Sequence, residues 1–368
     1  MTKLFSPLRI GDIEVKHRVV LAPLTRYRAD ESHVPLNFVR DYYTQRASTP
    51  GTILITEGTF ISPRAGGFKN VPGIYNNAQI DAWKSITDSV HANGCFIFCQ
   101  LWALGRAANP DILKAGGHKL ISSGSIPMSG DAATPEPLTE SEIQGFIQDY
   151  AQAAKNAIRA GFDGVEIHGA NGYLCDQFLQ DKSNNRTDGW GGSVEKRSRF
   201  GLEVAKAVSA AVGPGRTGYR VSPWSPFQGM GMDDPRPQFS YHAQQLSALN
   251  IAYLHVVESR ISGSNTIECR AEQIDFLVDI FGTSGTVIVA GGFTPGTAAE
   301  TTDRYADKNV AVAFGRSFLA NPDLPFRIQQ HIPLTKYDRS TFYVPESRVG
   351  YIDYPFSEEY KNAQTCRL

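Results

Sequence analysis

The sequence predicts an α/β chain folded as a closed (β/α)8 TIM barrel, with an N-terminal β-hairpin closing the barrel floor and a long loop after strand three. Three observations point there. Eight short β-rich runs alternate with longer amphipathic stretches. Most of those runs are near-continuously apolar, as parallel strands buried on both faces require. No repeat, low-complexity tract or second composition regime divides the 368 residues, so a single domain over 1–368 is expected. An open doubly wound sheet is the rival, but no Gly-x-Gly-x-x-Gly follows the first strand.

In chain order, Leu4 to Val19 reads as a hairpin turning at Gly11-Asp12. The β-rich runs cover 19–23, 52–58, 95–101, 164–168, 217–223, 252–258, 286–292 and 309–316. Helical patterns fall at 78–93, 141–161, 195–212, 238–249, 271–281 and 297–305. In the second of these, Ile143, Phe146, Ile147, Tyr150, Ala154 and Ile158 make one apolar stripe. Thr139 and Glu142 ahead of that stripe have capping-box spacing. The connection from Trp102 to Pro137 is rich in Gly, Pro and Ser. A loop of that length is functional or carries small strands of its own, and here it is expected over the active face, shaping a pocket with 259–269.

Composition removes whole classes of function. Lys and Arg number 36 against 37 Asp and Glu, so no basic field exists for nucleic acid or anionic lipid. A 41% hydrophobic content excludes a disordered chain. No apolar run nears the ~18 residues of a membrane span, and residues 1–18 lack a signal core. Five cysteines, odd in number and without a pairing motif, fit reduced thiols inside a cell. Cytoplasmic location is expected, with the peroxisome as alternative because Cys366-Arg367-Leu368 resembles a small-basic-Leu address. Neither His-Glu-x-x-His nor Cys-x-x-Cys occurs, so no metal is expected. Cys95 and Cys99 read as small packed hydrophobes, and His255 as a surface or core residue.

Chemistry in a barrel sits at the carboxyl ends of strands. Strand parity puts Glu166 and His168 on one face of strand four, and Gly218, Arg220 and Ser222 on one face of strand five. If the aliphatics between them pack on helices, the polar set points inward, and its charges need partners. For Glu166 a structural ion pair is the simpler reading; for His168 and Arg220 structural and functional readings both stand. Asn171 and Tyr173, just beyond, add a second donor and a neutral acid, which suits carbonyl activation with protonation of a neighbouring carbon. Gln100 and Thr25 could cap loops or read the edge of a planar, amide-containing ring. Gly291, Gly292, Gly315 and Arg316, after the last two strands, point to a phosphate held by backbone N–H groups and a guanidinium.

These segments resemble the old yellow enzymes, flavin-dependent ene-reductases. The match runs from Leu4-Phe5-Ser6-Pro7-Leu8 to Gly350-Tyr351-Ile352-Asp353-Tyr354-Pro355. Its most specific parts are Gly164-Val165-Glu166-Ile167-His168-Gly169-Ala170-Asn171-Gly172-Tyr173-Leu174 and Asn185-Arg186-Thr187-Asp188-Gly189-Trp190-Gly191-Gly192-Ser193. The resemblance implies non-covalent FMN, reduced by NADPH (or NADH), with Pro23, Thr25, Gly58, Gln100 and Arg220 around the ring. Gly291, Gly292, Gly315 and Arg316 would hold its phosphate. It implies His168 and Asn171 on the substrate carbonyl, Tyr173 as proton donor, and Trp102 and Tyr343 lining the substrate pocket. The implied reaction adds a hydride from flavin N5 to the β-carbon, and a proton from Tyr173 to the α-carbon, of an α,β-unsaturated carbonyl or nitroalkene. The partner is then a small molecule, and the chain a monomer or homodimer. Many relatives carry Asn where Gly292 stands, a change that a backbone donor survives. Relatives with Phe at the Tyr173 position can isomerise instead of reducing; the phenol here favours net reduction. Alternatives are an FMN-dependent isomerase or dehydrogenase in a biosynthetic pathway, and a non-catalytic flavin-binding protein.

Overall fold

The computed structural model of the protein describes residues 2–263, 265–267 and 273–365. Eight strands form the barrel: β1 (Val19–Leu21), β2 (Ile53–Ile55), β3 (Phe96–Trp102), β4 (Gly164–His168), β5 (Thr217–Val221), β6 (Tyr253–Val257), β7 (Thr286–Ala290) and β8 (Val310–Phe314). Each pairs in parallel with the next, and β8 pairs with β1, so no barrel edge stays open. Every strand predicted from the sequence is present. Most end earlier than the apolar runs do, because residues such as Pro23 and Gly58 leave the ladder to line the barrel mouth.

Seven helices fill the crossovers: α1 (Val39–Arg46), α2 (Asn77–Ala92), α3 (Glu140–Arg159), α4 (Val194–Val212), α5 (Arg236–Ala248), α6 (Asp275–Phe281) and α7 (Pro295–Arg304). Thr139 caps α3 in a reciprocal box with Glu142, an arrangement worth about 0.5–2 kcal/mol. The sequence reading missed α1. Its buried side of Val39, Tyr42, Tyr43 and Arg46 mixes a charge with aromatics, which erases the apolar period. The predicted start of α6 at Ala271 lies outside the described residues, as does the Cys366-Arg367-Leu368 tripeptide.

Strand parity sorts the core into two shells. Leu21, Leu54, Ile97, Cys99, Val165, Ile167 and Val312 face outward into the helices. Val20, Ile53, Ile55, Phe98, Ile288 and Ala311 face inward and meet Leu8, Ile10 and Val15 of the N-terminal hairpin. That hairpin (Leu8–Ile10 with Ile13–Val15) turns at Gly11 and, by this contact, plugs the interior. Each fully buried aliphatic contributes about 1.5–3 kcal/mol.

The long loop after β3 carries a short helix, Pro110–Ala115, and a two-strand pair, Ile121–Ser122 with Glu136–Pro137. The expectation that 103–137 shapes the pocket does not hold among the described residues, because none of that stretch lines the cavity. The loop packs behind the lining instead: Arg106 donates to the carbonyls of Ile126 and Pro127 within the loop and to that of Gln228, which lines the cavity. No helix of the described residues is long and apolar enough to cross a membrane.

Candidate active site

A cavity of about 650 Å³ opens at the carboxyl ends of the strands, within the range of small-molecule and cofactor sites. It brings together every site residue expected from the sequence: Pro23, Thr25, Gly58, Gln100, Trp102, His168, Asn171, Tyr173, Arg220, Gly291, Gly292, Gly315, Arg316 and Tyr343. They come from the ends of seven strands and from the C-terminal segment carrying Tyr343, which is what closing the barrel accomplishes.

β4 supplies the centre. Glu166 and His168 point inward, as parity requires, while Val165 and Ile167 pack outside. The backbone N–H of Ala170 donates to His168 Nδ1 at 3.4 Å. Burial, with Arg220 and His255 nearby, holds the imidazole pKa well below its ordinary value. A neutral ring whose Nδ1 accepts must carry its proton on Nε2, so His168 is a donor.

Beyond the strand the chain turns through Asn171, in a left-handed conformation (φ +57°) that Asn tolerates. The Asn171 N–H donates to Ser222 Oγ at 2.7 Å, and the Gly172 N–H to Asp176 at 2.8 Å. These bonds aim the Asn171 amide and the Tyr173 phenol back over the mouth. Tyr173 packs edge-on against Trp102 and His168, with ring centroids 4.8 and 4.9 Å away. Burial raises its pKa above the ordinary phenol value, so it keeps its proton.

Deeper in the barrel, Glu166 accepts from Gln100 Nε2 at 2.7 Å and pairs with His255 Nδ1 at 2.8 Å. The structural reading of Glu166 is correct in kind, but its hydrogen-bonded partners are Gln100 and the buried His255. Arg220 acts on it through charge. Gly218 makes room for this layer, since a Cβ there would fall 2.2 Å from the Tyr253 ring. Arg220 Nε and Asn171 Oδ1 are buried without a hydrogen-bond partner. Both residues line the cavity, within reach of a bound ligand.

At the rim, Gly292 has φ +67°, and a Cβ on it would sit 3.1 Å from Arg316 Nη2. The Arg316 guanidinium reaches Thr266 at 3.0 Å. Sequence reasoning missed Tyr27, Phe68, Gln228, Tyr337 and Phe342, which also line the cavity. They come from loops without a motif, so nothing local announces them.

An inward cation, a buried amide and a glycine–arginine rim thus share one barrel mouth. Comparison with known proteins identifies the class. The profile of the NADH:flavin oxidoreductase / NADH oxidase family matches residues 3–335. The chain is 57% identical over 365 residues to the chanoclavine-I aldehyde reductase fgaOx3 of Penicillium roqueforti, covering 99% of each chain. It is 51% identical over 366 residues to the probable inactive reductase easA of Epichloe festucae var. lolii, covering 98% of this chain and 96% of that one. The Old Yellow Enzyme from a Pichia species superposes with a TM-score of 0.90 at 39% identity, covering 97% and 94% of the two chains. The protein belongs to this family of flavin oxidoreductases and, within it, to the old yellow enzymes.

Such a family works with a flavin and a nicotinamide donor, and the residues fit a flavin mononucleotide. With Nε2 of Gln100 committed to Glu166, its Oε1 is left for the imide edge of a ring. Arg220 Nε lacks a partner, and the Gly292–Arg316 rim leaves a phosphate the room a side chain would take.

Proposed function

We propose that the chain, as one FMN-binding unit, is an NADPH-dependent ene-reductase acting on a small α,β-unsaturated carbonyl compound. One observation carries this reading: His168, Asn171 and Tyr173, from a single strand-turn, share one cavity with Gln100, Arg220 and the glycine rim. The name of the Penicillium relative refers to an aldehyde. An unsaturated aldehyde satisfies both that name and the site, so we put enals ahead of enones and nitroalkenes.

FMN, when bound, would supply the hydride, having taken it from the nicotinamide. The protein's own residues do the rest. Pro23, Thr25, Gly58, Gln100 and Arg220 would hold the ring, and Gly291, Gly292, Gly315 and Arg316 the phosphate. Nε2–H of His168 and the amide of Asn171 donate to the carbonyl oxygen, drawing electrons from the β-carbon. As negative charge builds on that oxygen the two bonds strengthen, which is where such donors lower a barrier. Tyr173 holds its proton at Oη and gives it to the α-carbon, completing net reduction. Trp102 and Tyr343 wall the substrate side. Buried free thiols at Cys95, Cys99 and Cys175 accord with a cytoplasmic setting.

The deciding experiment follows NADPH oxidation without oxygen, in the presence of cinnamaldehyde-type enals, and identifies the product. Enal-dependent oxidation yielding the saturated aldehyde is expected. Reduction of the C=O to an allylic alcohol, or an isomer formed without NADPH, would overturn the reading.

A further inference from the structure

Beneath the cavity-lining Gln100 lies a buried polar layer in which Glu166 and His255 have no task in the proposed reaction. Glu166, Gln100 and His255 come from three strands, and each is at most 2% exposed. Gln100 and Glu166 are register partners on β3 and β4, and Arg220 is the register partner of both His168 and His255. Both oxygens of Glu166 are engaged, one by Gln100 and one by His255. A carboxylate is expensive to bury, and a neutral amide there could satisfy the same two neighbours. The charge therefore asks for a purpose beyond packing.

We propose that Glu166 is a positioning residue for the cofactor: it sets which end of the Gln100 amide faces the cavity and tempers the charge that Arg220 presents there. The inference rests on the FMN reading above. A carboxylate only accepts hydrogen bonds, so it draws Nε2 of Gln100 toward itself and leaves Oε1 toward the cavity. The carboxylate in turn fixes the proton of neutral His255 on Nδ1. Burial opposes ionisation of Glu166, but His255, Arg220 and Gln100 together bring its pKa below the ordinary value. Arg220 thus lines the cavity as a cation with a fixed counter-charge behind it. A flavin gains negative charge on reduction, so an uncompensated Arg220 would favour the reduced form more than the compensated one does.

The test compares FMN-loaded wild type with E166Q and E166D. FMN affinity is read by fluorescence quenching on the apoprotein, and midpoint potential by equilibrium dye titration. E166Q keeps an acceptor for Gln100 but removes the charge. It is expected to favour reduced flavin about tenfold, a positive shift of about 30 mV for a two-electron couple. E166D keeps the charge but shortens the reach to Gln100. It is expected to hold the wild-type potential while weakening FMN binding about tenfold. A purely structural carboxylate would leave the potential of folded E166Q where it was, and that result overturns the proposal. If E166Q does not fold, E166D decides, and FMN binding as tight as wild type overturns it. Wild type that takes up no FMN at all would sink the functional reading instead.

Discussion

Around Tyr173, the rings of Trp102 and His168 pack edge-on against one half-buried phenol whose raised pKa keeps it protonated. Replacing it with Phe retains the ring packing and removes only the proton. Tyr173→Phe is expected to bind FMN and accept electrons from NADPH at wild-type rates, while enal reduction slows about 10²–10⁴-fold. Stopped-flow measurement of the two half-reactions separates these effects; an unchanged oxidative half-reaction would remove Tyr173 from the donor role. His168 contributes through Nε2–H. Its Ala variant should lose affinity for phenol ligands that imitate the charged oxygen, and lose about 2.7–4 kcal/mol of barrier lowering. Spectral titration with a substituted phenol reads the first loss directly. These two side chains were legible from the sequence because a five-residue strand and a tight turn place them by local geometry alone.

At the scale of elements, the segment that carries Tyr343 is fastened by arginines from the loop after β1. Arg26 donates to the carbonyls of Phe342 and Gly350, and Arg28 to those of Thr341 and Phe342. Glu57, beyond β2, accepts the Arg26 N–H at 3.1 Å and joins this assembly. Burial raises its pKa from near 4.5 to about 7. A carboxyl raised on folding stabilises the fold fully below its unfolded pKa, and that contribution is lost as pH rises through the folded one. Relative to Glu57→Gln, wild type is expected to lose about 3 kcal/mol between pH 4.5 and 8. Urea unfolding of both proteins at the two pH values checks this, and a constant difference would contradict it. None of this strap was legible, since its bonds join residues more than 300 positions apart through backbone carbonyls, which no side-chain pattern encodes.

Across the whole molecule, the barrel is closed below by the hairpin and open above at the cavity. A ligand that binds only the folded mouth must stabilise everything beneath it. FMN at a hundred times its dissociation constant is expected to add about 2.7 kcal/mol to unfolding free energy. A calorimetric Tm that rises with FMN concentration, and does not rise with riboflavin at the same concentration, would match a phosphate held at Gly292 and Arg316. Equal effects of the two ligands would move the phosphate elsewhere.

Strand number, inward and outward faces, the α3 cap and the donor-bearing turn after β4 were set by the sequence, because each depends on periods and spacings within about ten residues. The pairing of Glu166 with His255, the unpaired Arg220 Nε, the place of the loop after β3 behind the cavity lining and the loop residues completing the cavity were decided only by the tertiary structure. Those features arise where separate strands are brought side by side. Hydrogen bonding and charge then depend on distances that no local pattern in the chain contains.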